Sequence, residues 1–268
     1  MVEEPLIGML DSVWSSIGAV CEPLAPADYD RPTDCPGWTV RDHLAHMIGT
    51  EAMLLQRQPP PSDVDTGALP HVRNDIGAFN EQWVIAHHGR PGAEVLADFR
   101  AIAAERLAAL RALTAEEWDR EGFTPDGPGP YRQFMATRVF DCWFHEQDIR
   151  EAVGVPGGLE GAVADLAVGR IPKALPFVVG KKAAAPQGAT VIFSVDGVEY
   201  AVRVDGRAAL LDVPPADPTV RLTMSRRAFT RLAGGRWAGA DALARGEVAI
   251  EGDADLGRAV VTNLGFTI

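Results

Sequence analysis

The chain has 268 residues, of which 47% are hydrophobic and 23% are charged, and its formal net charge at pH 7 is −12. This length suits two domains or one large one, and this composition is that of a globular protein able to bury a core. Residues 1–155 contain 25 acidic and 12 basic residues, whereas residues 156–268 contain 12 and 13. So acidic a first part would repel phosphate backbones, which argues against nucleic acid as a partner.

The start of the chain and its cysteines bear on its cellular location. The opening MVEEPLIGML is acidic where a signal peptide is basic, and no apolar run approaches the roughly 18 residues of a membrane span. The three cysteines are odd in number and lack metal-type spacing, which argues against a disulfide framework. We therefore expect a cytoplasmic protein without a membrane partner, either a monomer or a homodimer.

Helical periodicity predicts that residues 1–155 form a helical bundle. The second helix is expected to begin at Thr39, because Thr39 followed by Asp42 is a variant of the capping box with Asp in place of Glu or Gln. The runs PPPSDVDTGALP and FTPDGPGP are loops by composition. The predicted helices cover about 5–22, 39–58, 71–88, 91–113 and 130–153.

The chain changes character after GVPGG at 154–158, and residues 156–268 are predicted to form a separate α+β domain. A helix at about 159–175 comes first. The runs ATVIFSV, VEYAVRV and RAALLDV are separated by two Asp-Gly pairs, which is a strong signal for β-hairpins. A strand (PTVRLTM), a helix capped by Ser225, a strand (EVAIEG) and a last helix complete an antiparallel sheet with flanking helices.

The last helix of the bundle, around RVFDCWFHEQDI at 138–149, mixes chargeable residues with apolar ones. At about 100° per residue the chargeable side chains lie along one strip, and apolar residues cover much of the rest. A helix that is apolar nearly all round is buried, so its charged groups must pair with each other or bind a cation. The strip consists of Phe134, Arg138, Asp141, His145, Asp148 and Ala152.

Asp141 and His145 are spaced i, i+4, so their side chains can converge on one point above the helix. One helix offers two metal ligands in this way in the helical HExxH zinc motif. A third ligand would come from the second helix, either His46 or His43. The alternative is an ion pair without a metal, and His46, which lies off the apolar stripe of its helix, could instead face solvent.

Two segments, DCPGWTVRDHLAHM at 34–47 and RVFDCWFHEQDIREAVG at 138–154, resemble the signature segments of the mycothiol-dependent maleylpyruvate isomerase family, a branch of the DinB-like four-helix metalloenzymes. The rest of the chain, with FTRLAGGR and VAIEGDADLG, is similar to the sterol-carrier-like C-terminal domain of that family. The resemblance implies a DinB-like metal-binding four-helix bundle at 1–155 and a sterol-carrier-like α+β domain at 156–268.

The resemblance also implies a ligand set for a divalent ion, usually zinc. Trp38, Asp42 and His46 fit the first motif of the family, and Asp141 and His145 fit the second. The implied ligands are therefore His46, Asp141 and His145. The characterised isomerase type has Glu where this chain has Asp141. Asp is one methylene shorter, so the ion would sit closer to the helix or be held differently, although either carboxylate suits zinc.

By the same resemblance, the thiol of mycothiol occupies the open position of a three-ligand zinc, and its thiolate attacks a small electrophilic substrate. The result is cis–trans isomerisation if the thiolate leaves again, or S-transfer if it stays attached. Asp148 would orient a ligand histidine or pair with Arg150 or Arg138, and Arg138 could itself support the site. The expected cofactors are zinc and mycothiol, and the expected partners are a low-molecular-weight thiol and a small electrophile.

Two other functions are compatible with the residues. The sterol-carrier-like domain could hold an apolar molecule, which would make the chain a metal-containing small-molecule or lipid-binding protein without catalysis. The helix at 131–153 could instead hide an ion-pair network in a protein that binds no metal. Stoichiometric zinc would exclude the metal-free protein, and a thiol bound to that metal would favour an enzyme over a carrier.

Overall fold

The helices predicted for the first part of the chain are present in the computed structural model, which describes residues 4–266. They are α1 (Pro5–Cys21), α2 (Val40–Leu54), α3 (Asp75–Ala86) and α4 (Gly92–Ala112), then a short α5 (Ala115–Trp118), a strand pair β1 (Glu121–Gly122) and β2 (Gly129–Pro130), and α6 (Tyr131–Val153). Helices α1, α2, α4 and α6 pack together as the predicted four-helix bundle, and α3 lies against α2.

Local signals set the ends of the two helices that matter most for the site. The carboxylate of Asp42 accepts hydrogen bonds from the backbone N–H and the hydroxyl of Thr39, at 2.8 and 2.7 Å, and so fixes the start of α2 as predicted. Gly154 ends α6 in the left-handed conformation, with φ of 70°, where a residue without a Cβ is strongly favoured. These local signals therefore fix where α2 begins and where α6 stops.

Helix α6 packs against α1 and α2 in the bundle. Its residues Val139, Cys142 and Ile149 are completely buried, as expected for a helix that is apolar nearly all round. Arg138 and Asp148, from the charged strip, are buried as well. The bundle therefore encloses chargeable side chains, and each needs a partner of opposite charge or a hydrogen bond.

The second part of the chain forms a sheet with flanking helices, as predicted. Within the described residues the sheet has five strands, which lie side by side in the order β5 (Arg207–Leu211), β4 (Val198–Asp205), β3 (Thr190–Val195), β6 (Val220–Met224) and β7 (Val248–Gly252). Val195 and Val198 pair across Asp196-Gly197, whose φ values of 46° and 85° are those of the two-residue hairpin that the Asp-Gly signal predicts. The elements are α7 (Ala162–Arg170), α8 (Leu175–Phe177), β3 (Thr190–Val195), β4 (Val198–Asp205), β5 (Arg207–Leu211), β6 (Val220–Met224), α9 (Arg226–Ala233), α10 (Gly239–Ala244), β7 (Val248–Gly252) and α11 (Ala254–Thr262).

One pairing in this sheet differs from the predicted antiparallel pattern. Strands β3–β4, β4–β5 and β6–β7 pair antiparallel, but β3 and β6 run parallel, with Val191 opposite Val220. The hairpins are local, so turn residues predict them. After β5 the chain crosses to the other side of β3, and such a crossover allows the next strand to start at the same end of the sheet as β3.

The described chain divides into two compact units, the first ending at Ala167 and the second beginning at Val168, within α7. The predicted domain boundary at 155/156 precedes this helix and stays a prediction. Among residues 4–266, no helix combines the length and the apolar character that crossing a membrane requires.

Candidate metal centre in the helical bundle

The three residues predicted as metal ligands lie together between α2 and α6. Nε2 of His46 is 3.3 Å from one carboxylate oxygen of Asp141, and Nε2 of His145 is 3.5 Å from the other. One ligand atom from each of the three residues lies within 4.8 Å of the others. The imidazoles of His46 and His145 are buried, whereas the side chain of Asp141 is 33% exposed. The alternative that His46 faces solvent is therefore wrong, and the group is reached from the side of Asp141.

The separations within this group suit a tetrahedral ion. Zinc binds nitrogen and carboxylate oxygen at about 2.0–2.2 Å, which places neighbouring tetrahedral ligands roughly 3.3–3.5 Å apart. The two nitrogen–oxygen distances, 3.3 and 3.5 Å, fall in that range. Within the described part of the chain, Nδ1 of His46, the nitrogen that does not face Asp141, is buried without a hydrogen-bond partner. The donor atoms and these two separations, each to a different oxygen of Asp141, therefore fit a metal of this kind.

The protonation states of the group also suit metal binding. Burial lowers the pKa of His46, which keeps a nitrogen lone pair available. Burial alone would raise the pKa of Asp141, but the charges of His145 and Arg138 hold it well below its usual range. Burial likewise opposes protonation of His145, but the carboxylates of Asp141 and Asp148 raise its pKa above the usual value. Asp141 is thus a carboxylate at neutral pH, and a metal would compete with a proton at His145.

The other histidine of α2, His43, lies on the far side of His145. The two Nδ1 atoms are 2.9 Å apart, and Asp148 places a carboxylate oxygen 3.7 Å from Nδ1 of His145. These three residues form a second, completely enclosed group of potential ligands. However, 2.9 Å is the length of a hydrogen bond and is shorter than the roughly 3.3 Å between tetrahedral nitrogen ligands. These distances suit His46 better than His43 as a candidate ligand, and Asp148 lies beside His145.

Behind Asp141, a buried ion-pair network crosses the bundle. The guanidinium of Arg138 contacts the carboxylate of Asp141 and donates from Nε to Glu51 at 2.9 Å. Arg106 donates from its own Nε to the second oxygen of Glu51, also at 2.9 Å. Burial of Glu51, Arg106 and Arg138 is nearly complete, with 1–3% exposed. Arg138 thus contacts Asp141 of the candidate group, and Glu51 holds Arg138 in place.

Trp38 forms one wall of the site. Its ring centroid is 5.0 Å from that of His46 and 5.6 Å from that of His145. The indole N–H donates to the buried carboxylate of Glu81, which also lies 2.8 Å from Nε2 of His71. An aromatic ring held in this way lowers the local polarity beside the histidines and excludes water.

The cysteines do not belong to the ligand groups. Cys142 lies on α6 between Nε1 of Trp14 and the guanidinium of Arg138, at 3.3 and 3.4 Å. Burial raises the pKa of Cys142 to about 12, and the pKa of Cys21 to about 12 as well. Cys35 is partly exposed. The two buried thiols are therefore structural.

We expect iodoacetamide at pH 8 to label Cys35 in the folded protein and to spare Cys21 and Cys142. A thiol with a pKa near 12 is a thiolate to only about one part in 10⁴ at that pH, and access to it is blocked. Mass spectrometry of the labelled peptides gives the readout. All three thiols should be labelled after unfolding in guanidinium, whereas rapid labelling of Cys142 in the folded chain would contradict the proposed burial.

The chain thus belongs to a class of two-part proteins. The first part is a four-helix bundle in which two histidines and a carboxylate on facing helices form a candidate metal centre, and the second part is an α+β unit. The first part matches the family described as mycothiol maleylpyruvate isomerase N-terminal domain over residues 10–150, and the chain belongs to this family. Residues 178–264 match the SCP-2 sterol transfer family. Both matches confirm the family that the sequence motifs resembled.

Solved structures confirm the fold over most of the chain. A crystal structure of the mycothiol-dependent maleylpyruvate isomerase superimposes with a TM-score of 0.57 at 16% identity, covering 88% of this chain and 93% of that one. A histidine-to-alanine mutant of the mycothiol-dependent maleylpyruvate isomerase gives a TM-score of 0.57 at 14% identity, covering 94% and 96%. At these identities the likeness establishes the architecture. A comparison with curated proteins found no match to the chain.

Proposed function

We propose that the chain is a cytoplasmic, zinc-dependent enzyme that uses mycothiol as its thiol cofactor or co-substrate. Its reaction on a small electrophile is cis–trans isomerisation or S-transfer. The observation that carries this proposal is the His46, Asp141 and His145 group, whose nitrogen–oxygen separations of 3.3 and 3.5 Å suit a tetrahedral ion. Membership of a family named for mycothiol maleylpyruvate isomerase supports the choice of thiol and of reaction class.

His46, Asp141 and His145 would hold the divalent ion, and three protein ligands leave a position for a further group. When bound, such an ion lowers the pKa of a thiol ligand and so favours the thiolate at neutral pH. The chain itself orients its ligands and limits water. Arg138 fixes the carboxylate of Asp141, and the ring of Trp38 covers the imidazoles. The exposed third of the Asp141 side chain marks the side from which a thiol and an electrophile could enter.

A second candidate function rests on the other unit. The match of residues 178–264 to the SCP-2 sterol transfer family supports a metal-containing small-molecule or lipid-binding protein without catalysis. Both functions predict a metal in the bundle. They differ in whether a thiol binds that metal, and this difference decides between them.

The test is the spectrum of the cobalt-substituted chain. Cobalt(II) accepts the same nitrogen and oxygen ligands as zinc, and a thiolate on cobalt adds a charge-transfer absorption. The enzyme predicts that mycothiol produces this band, whereas S-methylated mycothiol, which has no ionisable thiol, does not. An unchanged spectrum with both compounds would reject the thiol-using enzyme and favour the carrier.

We expect Asp141→Glu to retain zinc and Asp141→Asn to bind it at least about tenfold more weakly. Glutamate preserves the negative charge, which attracts the ion and pairs with Arg138, whereas asparagine removes this charge. Competition with a chromogenic chelator measures the dissociation constants. Asp98→Asn, at an exposed carboxylate that pairs with Arg90 at 2.7 Å, is the matched control and should bind zinc normally. Equal affinity of the wild type and both Asp141 variants would mean that Asp141 is not a ligand.

A further inference from the structure

We propose that His43 is a positioning residue that fixes the tautomer of His145, so that Nε2 of His145 carries the lone pair that faces the metal position. This inference rests on the metal site proposed above. His43 is one turn before His46 on α2 and is completely buried. Its ring stands edge-on to Trp38, with centroids 5.4 Å apart and an interplanar angle of 83°. The ring is therefore held in one orientation, and its two nitrogens have defined neighbours.

The hydroxyl oxygen of Thr33 lies 2.9 Å from Nε2 of His43. The same hydroxyl oxygen lies 3.0 Å from the carbonyl of Trp38, and it accepts from the backbone N–H of Cys35 at 3.2 Å. The carbonyl of Trp38 also accepts from the backbone N–H of Thr33 at 3.0 Å, so the hydroxyl proton of Thr33 can go either to this carbonyl or to an unprotonated Nε2 of His43. Thr33 is thus compatible with either tautomer of His43, and the groups around His145 decide between them.

The imidazoles of His43 and His145 contact each other through their Nδ1 atoms. Their Nδ1 atoms are 2.9 Å apart, and two N–H groups cannot face each other at that distance, so one of the two nitrogens is bare. The carboxylate of Asp148 lies 3.7 Å from Nδ1 of His145 and favours a proton on that nitrogen. His145 therefore donates from Nδ1, and Nδ1 of His43 accepts. The proton of a neutral His43 is then on Nε2, which donates it to the hydroxyl oxygen of Thr33.

The consequence is that the neutral imidazole of His145 has its lone pair on Nε2, the nitrogen 3.5 Å from Asp141. The opposite tautomer would point an N–H at the position of the ion and would have to rearrange before it could bind metal. Residues that orient a ligand histidine typically contribute about 10- to 100-fold to metal affinity. The acceptor nitrogen of His43 thus holds His145 in the state that binds metal, and Thr33 accepts the proton of His43.

The experiment compares His43→Phe with His43→Asn. Phenylalanine keeps an aromatic ring beside Trp38 but offers no acceptor, whereas the side-chain oxygen of asparagine lies near the place of Nδ1 and can accept from His145. We expect the zinc dissociation constant of His43→Phe to rise about 10- to 100-fold. That of His43→Asn should stay within about threefold of the wild type, because the acceptor is restored. Thermal melts of both variants check that each is folded.

The second readout is the ¹⁵N spectrum of the histidines in metal-free wild-type protein. We expect a shift of the bare, pyridine type at Nδ1 of His43 and of the protonated, pyrrole type at its Nε2. The reverse pattern would overturn the proposal, as would wild-type zinc affinity in His43→Phe. A wild-type chain that binds no zinc would instead reject the proposed metal site, and the ¹⁵N spectrum alone would then decide the tautomer of His43.

Discussion

Replacing His145 by alanine is expected to weaken zinc binding more than about 100-fold and to abolish thiol-dependent turnover. His145 faces Asp141 with one ring nitrogen and His43 with the other, at 3.5 and 2.9 Å. Loss of a residue that merely orients a ligand costs about 10- to 100-fold in affinity, so loss of the ligand itself should cost more. Metal analysis after dialysis and chelator competition give the occupancy and the dissociation constant.

The matched control is His87→Ala. His87 is also a buried histidine of the bundle, but it lies 2.7 Å from the backbone carbonyl of Trp83 and outside both ligand groups. Its removal should leave zinc binding unchanged. Full zinc occupancy in His145→Ala would refute the ligand assignment, and equal loss in both variants would trace the effect to folding.

The fold was predictable wherever the signal is local. The Thr39–Asp42 cap and the Asp196-Gly197 turn are set by residues within a few positions of each other, and both form as expected. Elements shorter than two helical turns show no periodicity, so Ala115–Trp118 and Gly239–Ala244 were not anticipated as helices. The parallel pairing of β3 with β6 depends on where a crossover ends, which no local pattern records.

In the candidate site, too, only the arrangement of residues on one helix could be predicted from local pattern. Asp141 and His145 share one helix, so their convergence follows from the helical repeat alone. Periodicity placed His46 off the apolar stripe of α2 because it assumes one exposed face. In the structure α2 packs against α3, α4 and α6, and all residues from Asp42 to Gly49 are buried. The family resemblance supplied the choice of His46, since helix packing cannot be derived from the repeat.

Glu51 and Arg106 were not identified from the sequence. They lie on different helices, and their ion pair exists only after α2 and α4 pack. A signal was nevertheless available on α4, where Arg106 falls between Ile102 and Leu110 at i, i+4 spacing on the buried stripe. A guanidinium on an apolar stripe requires a buried carboxylate, and this requirement could have prompted a search for one.

Replacing Glu51 by glutamine is expected to destabilise the bundle by about 3–5 kcal/mol. The guanidinium groups of Arg106 and Arg138 are nearly completely buried, and Glu51 accepts a hydrogen bond from each at 2.9 Å. With a neutral amide in that place, Arg138 keeps the carboxylate of Asp141, whereas Arg106 keeps neutral partners such as the hydroxyl of Tyr131 at 2.8 Å. In a domain of this size the change corresponds to a fall in melting temperature of about 6–20 °C. Thermal and urea unfolding measure it, and zinc affinity should fall with it, because Arg138 no longer holds Asp141 firmly.

The control for Glu51 is Glu105→Gln, the same substitution at a carboxylate that contacts Arg57 at 2.6 and 2.7 Å with both side chains about half exposed. An exposed pair contributes at most about 1 kcal/mol, so equal effects of the two substitutions would show that burial gives the network no special weight.

Replacing Glu51, Arg106 and Arg138 together by Leu, Met and Met then separates the two roles of the network, which are to stabilise the fold and to orient Asp141. Stability should largely recover, since apolar side chains can replace a buried ion-pair network. Zinc affinity should stay low, because the carboxylate of Asp141 has lost the guanidinium that orients it. Recovery of both would mean that Arg138 serves folding alone.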